Sequence, residues 1–191
     1  MRVRLIRHGL TAGNAARRYV GKSDEPLCPD GVAEAERQAK DPALSRVFVS
    51  PLIRARQTAA ILFPNAEQVV IEDLQEMDFG DFEGRTAAEM EHDPAYRAWV
   101  DDLCRGACPN GESQAGFRKR VTAALSALIA RADGDCTVVS HGGVIMAIMA
   151  ELAEPKKDFY DWYTPNLCGY RAAVQTSGTG VILTDVEPVH N

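Results

Sequence analysis

Two of the four histidines of this chain sit in matching surroundings, "RLIRHGL" near the start and "VVSHGGV" far downstream. Each follows a brief apolar run and precedes glycine, which places His8 and His141 directly after candidate strands. A guanidinium stays protonated in essentially any protein setting and grips phosphate oxygens in a two-pronged fashion. Arg7 beside His8, and Arg54 within "SPLIRARQTA", supply two of them, so the four side chains together make an anion pocket. The chemistry suited to that set is phosphoryl transfer. Neutral His8 attacks phosphorus, while Arg7, Arg54 and protonated His141 meet the charge that develops on the equatorial oxygens. An alkoxide leaving group also needs a proton. Glu76 in "LQEMDFGDFEG" is the candidate donor, because a carboxyl group near a phosphate dianion and partly desolvated has a raised pKa. The same group can then deprotonate the water that attacks phosphohistidine.

Other chemistries fit less well. His8, His141 and Glu76 could ligate zinc, but two fixed positive charges beside them oppose a cation and no HExxH spacing exists, so no metal is expected. "HGLTAGN" and "HGGV" match neither GxGxxG nor GxxxxGK[ST], which speaks against a nucleotide cradle.

The elements that must position these residues follow a regular alternation. "VRLI" reads as a first strand, and His8 to Gly31 as a long loop with one helical turn. "GVAEAERQAK" is helical in composition, "RVFVS" a short β-branched strand, "LIRARQTAAILF" a helix ended by Pro64, and "QVVIE" another strand. Strand alternating with helix is the pattern of a parallel sheet covered on both faces. From Asp73 to Gln114 the alternation stops, and two short helices among loops are expected. "AGFRKRVTAALSALIARA" is an amphipathic helix with Phe117, Val121, Ala124, Leu125, Leu128 and Ile129 on one face. "CTVVS" follows as a buried strand, "GVIMAIMAEL" as a helix stopped near Pro155, and "YRAAVQ" and "GVILTDV" as a closing hairpin. His8 and His141 then lie at carboxyl ends of parallel strands, where open α/β sheets form their ligand crevice. Ser50, ending "RVFVS", opens onto the same edge.

The 191 residues suit one well-buried core better than two. A net charge of −6 argues against broad binding to nucleic acid or to an anionic membrane. Five cysteines without a CxxC pair fit neither a disulfide framework nor a tetrahedral zinc site, and point to free thiols in a reducing cytosol. With no apolar stretch long enough to span a bilayer and no leader-like start, a cytoplasmic protein is expected.

Taken in order, "LIRHGLTAGN", "SPLIRARQTA", "LQEMDFGDFEG" and "VVSHGGV" resemble four motifs of the histidine phosphatase superfamily, the phosphoglycerate mutase-like proteins. The resemblance implies a three-layer α/β/α domain with a mostly parallel sheet over residues 1–191, a substrate-specificity insertion at about 73–114, and no metal or cofactor. It implies His8 as the phosphorylated nucleophile, His141, Arg7 and Arg54 as phosphate contacts, Asn14 as a further contact to the phosphoryl group, and Glu76 as the proton donor. Leu10 stands where many relatives carry an acidic residue. "RRYVGKSDEPLCPDG" resembles the Y-x-G-x-x-D-x-P-L-T-x-x-G loop of small bacterial phosphatases, α-ribazole phosphatases of cobalamin synthesis among them, with Cys28 in place of the usual threonine. Cofactor-dependent mutases carry an adjacent arginine pair where this chain has only scattered Arg85, Arg97 and Arg105. The resemblance therefore implies a phosphomonoesterase for a small phosphorylated metabolite, with α-ribazole 5′-phosphate a candidate.

Plainer readings stand beside these. Glu72, Asp73, Asp78 and Glu83 are carboxylates close to Glu76 in the chain. Asn14 could cap a short helix, and Gly142 and Gly143 could ease a tight strand-to-helix turn or direct N–H groups at phosphate. Arg56, His92 and His190 read as surface residues, and Trp99, Trp162, Phe79 and Phe82 as core or pocket wall. A phosphoglycerate mutase and a non-catalytic module that binds a phosphorylated ligand are the rival functions. The oligomeric state is not legible.

Overall fold

The computed structural model describes residues 1–178 and 180–190; the side chains of Ser177 and His190 lie outside that description, and with them the surface reading of His190. The chain runs through β1 (Arg2–Arg7), a single helical turn α1 (Ala12–Ala15), α2 (Pro29–Arg37), β2 (Arg46–Val49), α3 (Ile53–Leu62) and β3 (Glu67–Val70). Short 3-10 turns at Glu72–Leu74, Gly80–Phe82 and Ala88–Met90 precede α4 (Pro94–Asp101). Then come α5 (Gln114–Arg131), β4 (Cys136–Ser140), α6 (Gly142–Leu152), a 3-10 turn at Phe159–Trp162, β5 (Cys168–Ser177) and β6 (Gly180–His190).

The strands form one sheet in the order β3-β2-β4-β1-β5-β6. The first four are parallel, and β5 and β6 add antiparallel at one side. Alternation along the strands divides the core. Ile6, Val47, Val49 and Val139 face Ala55, Ala59 and Leu62 of α3, while Val3, Leu5 and Val138 face the opposite layer of α5 and α6. β4 is buried at all five residues, as expected for a central strand covered on both faces. All six residues predicted for the buried face of α5 are buried. The result is a three-layer α/β/α domain with a mostly parallel sheet.

Register brings the two histidines together. Arg7 pairs with Ser140 across β1 and β4, so His8 and His141 leave the sheet side by side, and the His8 N–H donates to the Ser140 carbonyl at 2.9 Å. Val49 pairs with Val139, and the Ser50 N–H donates to the Val139 carbonyl at 3.1 Å. Three strand ends thus share one rim.

Two local expectations change. α2 begins at Pro29, ahead of the predicted loop end at Gly31, because proline is pre-set for the first helical position and the Cys28 sulfur caps it, accepting the Gly31 N–H at 3.4 Å. In place of two short helices, the 73–114 region holds one α-helix and 3-10 turns. Gly80 and Gly84, with φ of +53° and +72°, are in the left-handed region and halt helical growth there.

Candidate active site

His8 is 3% exposed. Its Nδ1–H donates to the Gly9 carbonyl at 2.7 Å, which leaves Nε2 as the atom that accepts the Arg54 Nε–H at 3.3 Å. A neighbouring carbonyl therefore fixes the tautomer, and the lone pair sits on Nε2. Burial, then the Arg54 and Arg7 charges, hold the imidazole well below its usual 6.5, so the ring is neutral at physiological pH. Gly9 is itself pinned: its N–H donates to Thr58 Oγ1 at 2.9 Å, and that hydroxyl donates to the Arg54 carbonyl at 2.7 Å. Thr58 was not singled out in the sequence, although a polar residue four positions after Arg54 on the buried face of a helix is the signal that could have found it.

Arg54 is fully buried. Its Nη1 and Nη2 donate to the Ser23 and Gly21 carbonyls, each at 2.7 Å, so the guanidinium is aimed by the loop that follows α1. Gly21 has no alternative there, since a Cβ would lie 1.9 Å from the Met77 carbonyl oxygen. Arg7 donates from Nη1 to the Thr164 carbonyl at 2.8 Å and lies over the Tyr163 ring, while its Nε is buried without a protein partner. Gly142, the first residue of α6, packs against this guanidinium, and a Cβ there would come within 3.3 Å of Arg7 Cζ.

His141 is fully buried, with its ring centroid 5.1 Å from that of His8. Its Nε2 and Ser50 Oγ share a 2.6 Å hydrogen bond, and its Nδ1 is buried without a protein partner. Burial, then Arg54 and the other nearby cationic and imidazole groups, push His141 well below 6.5. Without an anion the ring is thus held toward its neutral form, and the protonated His141 expected during phosphoryl transfer would need a dianion brought against it to reverse the sign of that environment.

Glu76 is 8% exposed and lines the same cavity as His8. Its Oε2 accepts the Gly143 N–H at 2.9 Å and Oε1 accepts the Met77 N–H at 3.0 Å. Burial raises its pKa against the opposing pull of those two N–H groups and of Arg54 and Arg7. The rival carboxylates are placed elsewhere. Glu72 and Asp73 are exposed; Asp78 takes the Gly80 N–H and pairs with Lys22 at 3.2 Å. Glu83 is saturated by the N–H groups of Gly21, Lys22, Ser23 and Phe79 and by the Ser23 hydroxyl. The backbone carrying Glu76 is gripped by Arg120 of α5, which donates to the Asp73, Gln75 and Glu76 carbonyls. A helix read as core packing alone thus also holds the candidate acid.

Asn14 lines the same cavity. The cap of α1 is Thr11, which accepts the Asn14 N–H at 3.1 Å, so the Asn14 side chain is not used for capping. Gly142 also lines the cavity, whereas the Gly143 N–H is taken by Glu76. Arg56 and His92 are exposed, and Trp162 and Phe82 are core.

The cavity holds about 320 Å³. Its lining includes the polar side chains of Arg7, His8, Asn14 and Glu76 and the rings of Tyr19, Phe79, Trp99, Phe117, Phe159 and Tyr160. A lining of charged groups and aromatic wall suits a phosphate joined to a flat apolar group. Among the described residues, no cluster of three or more His, Cys, Asp or Glu side chains could hold a metal ion.

Comparison with known proteins agrees with this arrangement. The model of the histidine phosphatase superfamily (branch 1) matches residues 3–185. An adenosylcobalamin/alpha-ribazole phosphatase of Salmonella typhimurium is 35% identical over 160 residues, 80% of this chain and 79% of the relative. The crystal structure of the alpha-ribazole phosphatase from Shigella flexneri superposes with a TM-score of 0.81 at 28% identity, covering 96% of this chain and 94% of the other. That of phosphoglycerate mutase from Thermus thermophilus gives 0.69 at 29% identity, covering 96% and 98%.

Proposed function

The chain belongs to the histidine phosphatase superfamily, and on that premise we propose that it is a metal-independent phosphomonoesterase working through a phosphohistidine on His8. The observation that carries this reading is His8 Nε2: a lone pair with a fixed tautomer on a buried neutral ring, beside the Arg54 guanidinium. In the first step Nε2 attacks phosphorus and the ester P–O bond breaks. Arg54 exchanges its bond to Nε2 for one to a phosphoryl oxygen, and Arg7, Asn14, His141 and the Gly142 N–H take the remaining oxygens. Glu76, whose protonated form burial favours, passes its proton to the leaving oxygen. In the second step the Glu76 carboxylate takes a proton from water, the water oxygen bonds to phosphorus, and the P–N bond breaks to return neutral His8.

The substrate we favour is a small metabolite with an aromatic group near its phosphate, α-ribazole 5′-phosphate being the candidate. Two observations support it: the aromatic wall and relatives named for that substrate. A sugar-acid substrate would need a further cation for its carboxylate. Among the described residues the cavity is lined by two cations, Arg7 beside His8 and Arg18, which is paired with Glu89 at 3.1 Å and bonded to the Gly84 carbonyl. We place the specificity determinants in the 73–114 segment of a single domain. No described helix is long and apolar enough to cross a membrane, and the proposal is a cytoplasmic enzyme.

The test is phosphate release from α-ribazole 5′-phosphate, phosphoglycerates and other monoesters, in chelator, by wild type and His8→Ala. Release by wild type alone, with a ³²P label retained on the protein in acid-quenched samples, is the expected outcome. Turnover by His8→Ala would end the phosphohistidine reading, and isomerisation of phosphoglycerate without phosphate release would establish the mutase.

A further inference from the structure

The segment Tyr163–Leu167, to which no role was assigned above, bonds to Arg7 and to the candidate nucleophile's backbone, and its first residue, Tyr163, lines the cavity. Its Thr164 carbonyl holds Arg7, its Leu167 N–H donates to the Arg7 carbonyl at 3.0 Å, and Asn166 Nδ2 donates to the His8 carbonyl at 2.9 Å. That last bond settles which way the Asn166 amide faces, because a carbonyl can only accept. With Nδ2 turned inward, Asn166 presents a second N–H to its other neighbour, Asn14, which meets it with Oδ1 at 3.5 Å. The long distance makes this a weak bond, yet its direction is fixed. An Asn14 that gives Oδ1 to Asn166 turns its own Nδ2 the other way, into the cavity whose wall it forms.

We infer that Asn166 is a positioning residue, which through the His8 carbonyl and Asn14 Oδ1 holds the nucleophile's backbone and makes Asn14 a donor, rather than an acceptor, toward the phosphoryl group. The inference rests on the phosphatase reading above. Its chemical content is a choice of sign. Asn14 facing the substrate with Oδ1 would repel a phosphoryl oxygen, and Asn14 facing it with Nδ2 stabilises the charge that grows there. Half-buried Asn166 need not touch substrate to decide between them.

The experiment is a double-mutant cycle on phosphate release, using a monoester that wild type hydrolyses and His8→Ala does not; absence of that difference would mark failure of the phosphatase reading itself. Asn166→Ala is expected to lower kcat by about tenfold with KM little changed, the size of one oriented hydrogen bond. Asn166→Asp is expected to lose more, since a carboxylate repels the His8 carbonyl and accepts from Asn14 Nδ2, turning Oδ1 toward the phosphoryl group. In that background, adding Asn14→Ala should raise kcat or leave it unchanged, whereas Asn14→Ala alone lowers it. Losses that simply multiply across the cycle would overturn the inference. Asn14→Asp, which keeps the acceptor for Asn166 and removes the donor, covers the case in which Asn166 variants do not fold. It should fall at least as far as Asn14→Ala, and wild-type turnover by Asn14→Asp would overturn the inference as well.

Discussion

Along the rim where β1, β2 and β4 end, the candidate reacting groups hang from adjacent strand ends and are tied to main-chain atoms distant in sequence, whereas the wall contributed by residues 73–114 is built from turns, one short helix and ring-on-ring contacts. Arg54 is aimed by carbonyls at 21 and 23, and Arg7 by the carbonyl at 164. In the wall, Phe79 and Trp99 pack edge to face with each other and with Tyr19, and the buried rings of Phe82 and Tyr96 support them from the core, at centroid separations of 5.1 to 6.4 Å for the T-shaped pairs. Directional hydrogen bonds from a buried cation admit few geometries, while aromatic contacts slide at small energetic cost. The difference teaches that one rim can keep its chemistry while walls of different shape select different substrates.

The comparison predicts a large loss at the rim and a selective one at the wall. Arg54→Ala removes the charge that meets the phosphoryl oxygens and leaves two loop carbonyls without their donor, so kcat should fall by about 10³-fold on every ester. Arg54→Lys should recover little, because an ammonium cannot reproduce the planar fork. Retention of more than a tenth of wild-type kcat by either variant would remove Arg54 from the phosphate site.

Glu76 joins the two regions, as it belongs to the wall's chain and faces the rim. Glu76→Gln should lower kcat by about 10²-fold for alkyl esters and much less for an aryl ester whose leaving group needs no proton, with phosphoenzyme accumulating because the water has lost its base. The pH profile carries the signs. His8 must be neutral, so kcat/KM falls as pH drops through its value well below 6.5. Glu76 must be protonated, so kcat/KM falls again as pH rises through its value, which burial has raised above 4.5. The alkaline limb should vanish in Glu76→Gln, and its persistence would assign the acid elsewhere.

At the wall, Phe79→Ala should lower kcat/KM by about tenfold for α-ribazole 5′-phosphate while leaving small aliphatic esters within about twofold of wild type. Equal losses on both would mean that the ring supports the rim rather than the substrate.

The same contrast explains what could be read without coordinates. His8 and His141 each follow a brief apolar run that reads as a strand, so their common rim was legible from local patterning, and Arg54 from its place one turn beyond the next strand. Motif position singled out Glu76 over Glu83, but the physical reason was not legible, since most of the N–H groups that saturate Glu83 come from residues some sixty positions earlier in the chain. Asn166 and Arg120 bond to carbonyls far away in the chain, which leave no pattern in side-chain types, whereas Thr58 left one in its spacing from Arg54. The charge of His141 without an anion was not legible, because it depends on how many cations the fold gathers around one buried ring, a three-dimensional sum that no spacing encodes.

The smallest expected effect lies outside both regions. Cys28 caps α2 where the resemblance anticipated threonine, and a thiol is a weak acceptor; its sulfur takes the Gly31 N–H at 3.4 Å. Cys28→Thr replaces it with a hydroxyl that accepts the same N–H more strongly, at a position whose extended backbone, φ −76° and ψ 164°, suits a β-branched residue. The gain should be about 0.5–1 kcal/mol, seen as a rise of roughly 1–4 °C in Tm for a chain of this length. Because the residue touches neither rim nor wall, kcat and KM for both aromatic and aliphatic esters should stay within about twofold of wild type. A Tm that falls would show that the sulfur is packed for its bulk rather than used as a cap, and a changed kcat would show that the start of α2 transmits to the rim through the Leu10 carbonyl, which accepts the Cys28 N–H at 3.0 Å.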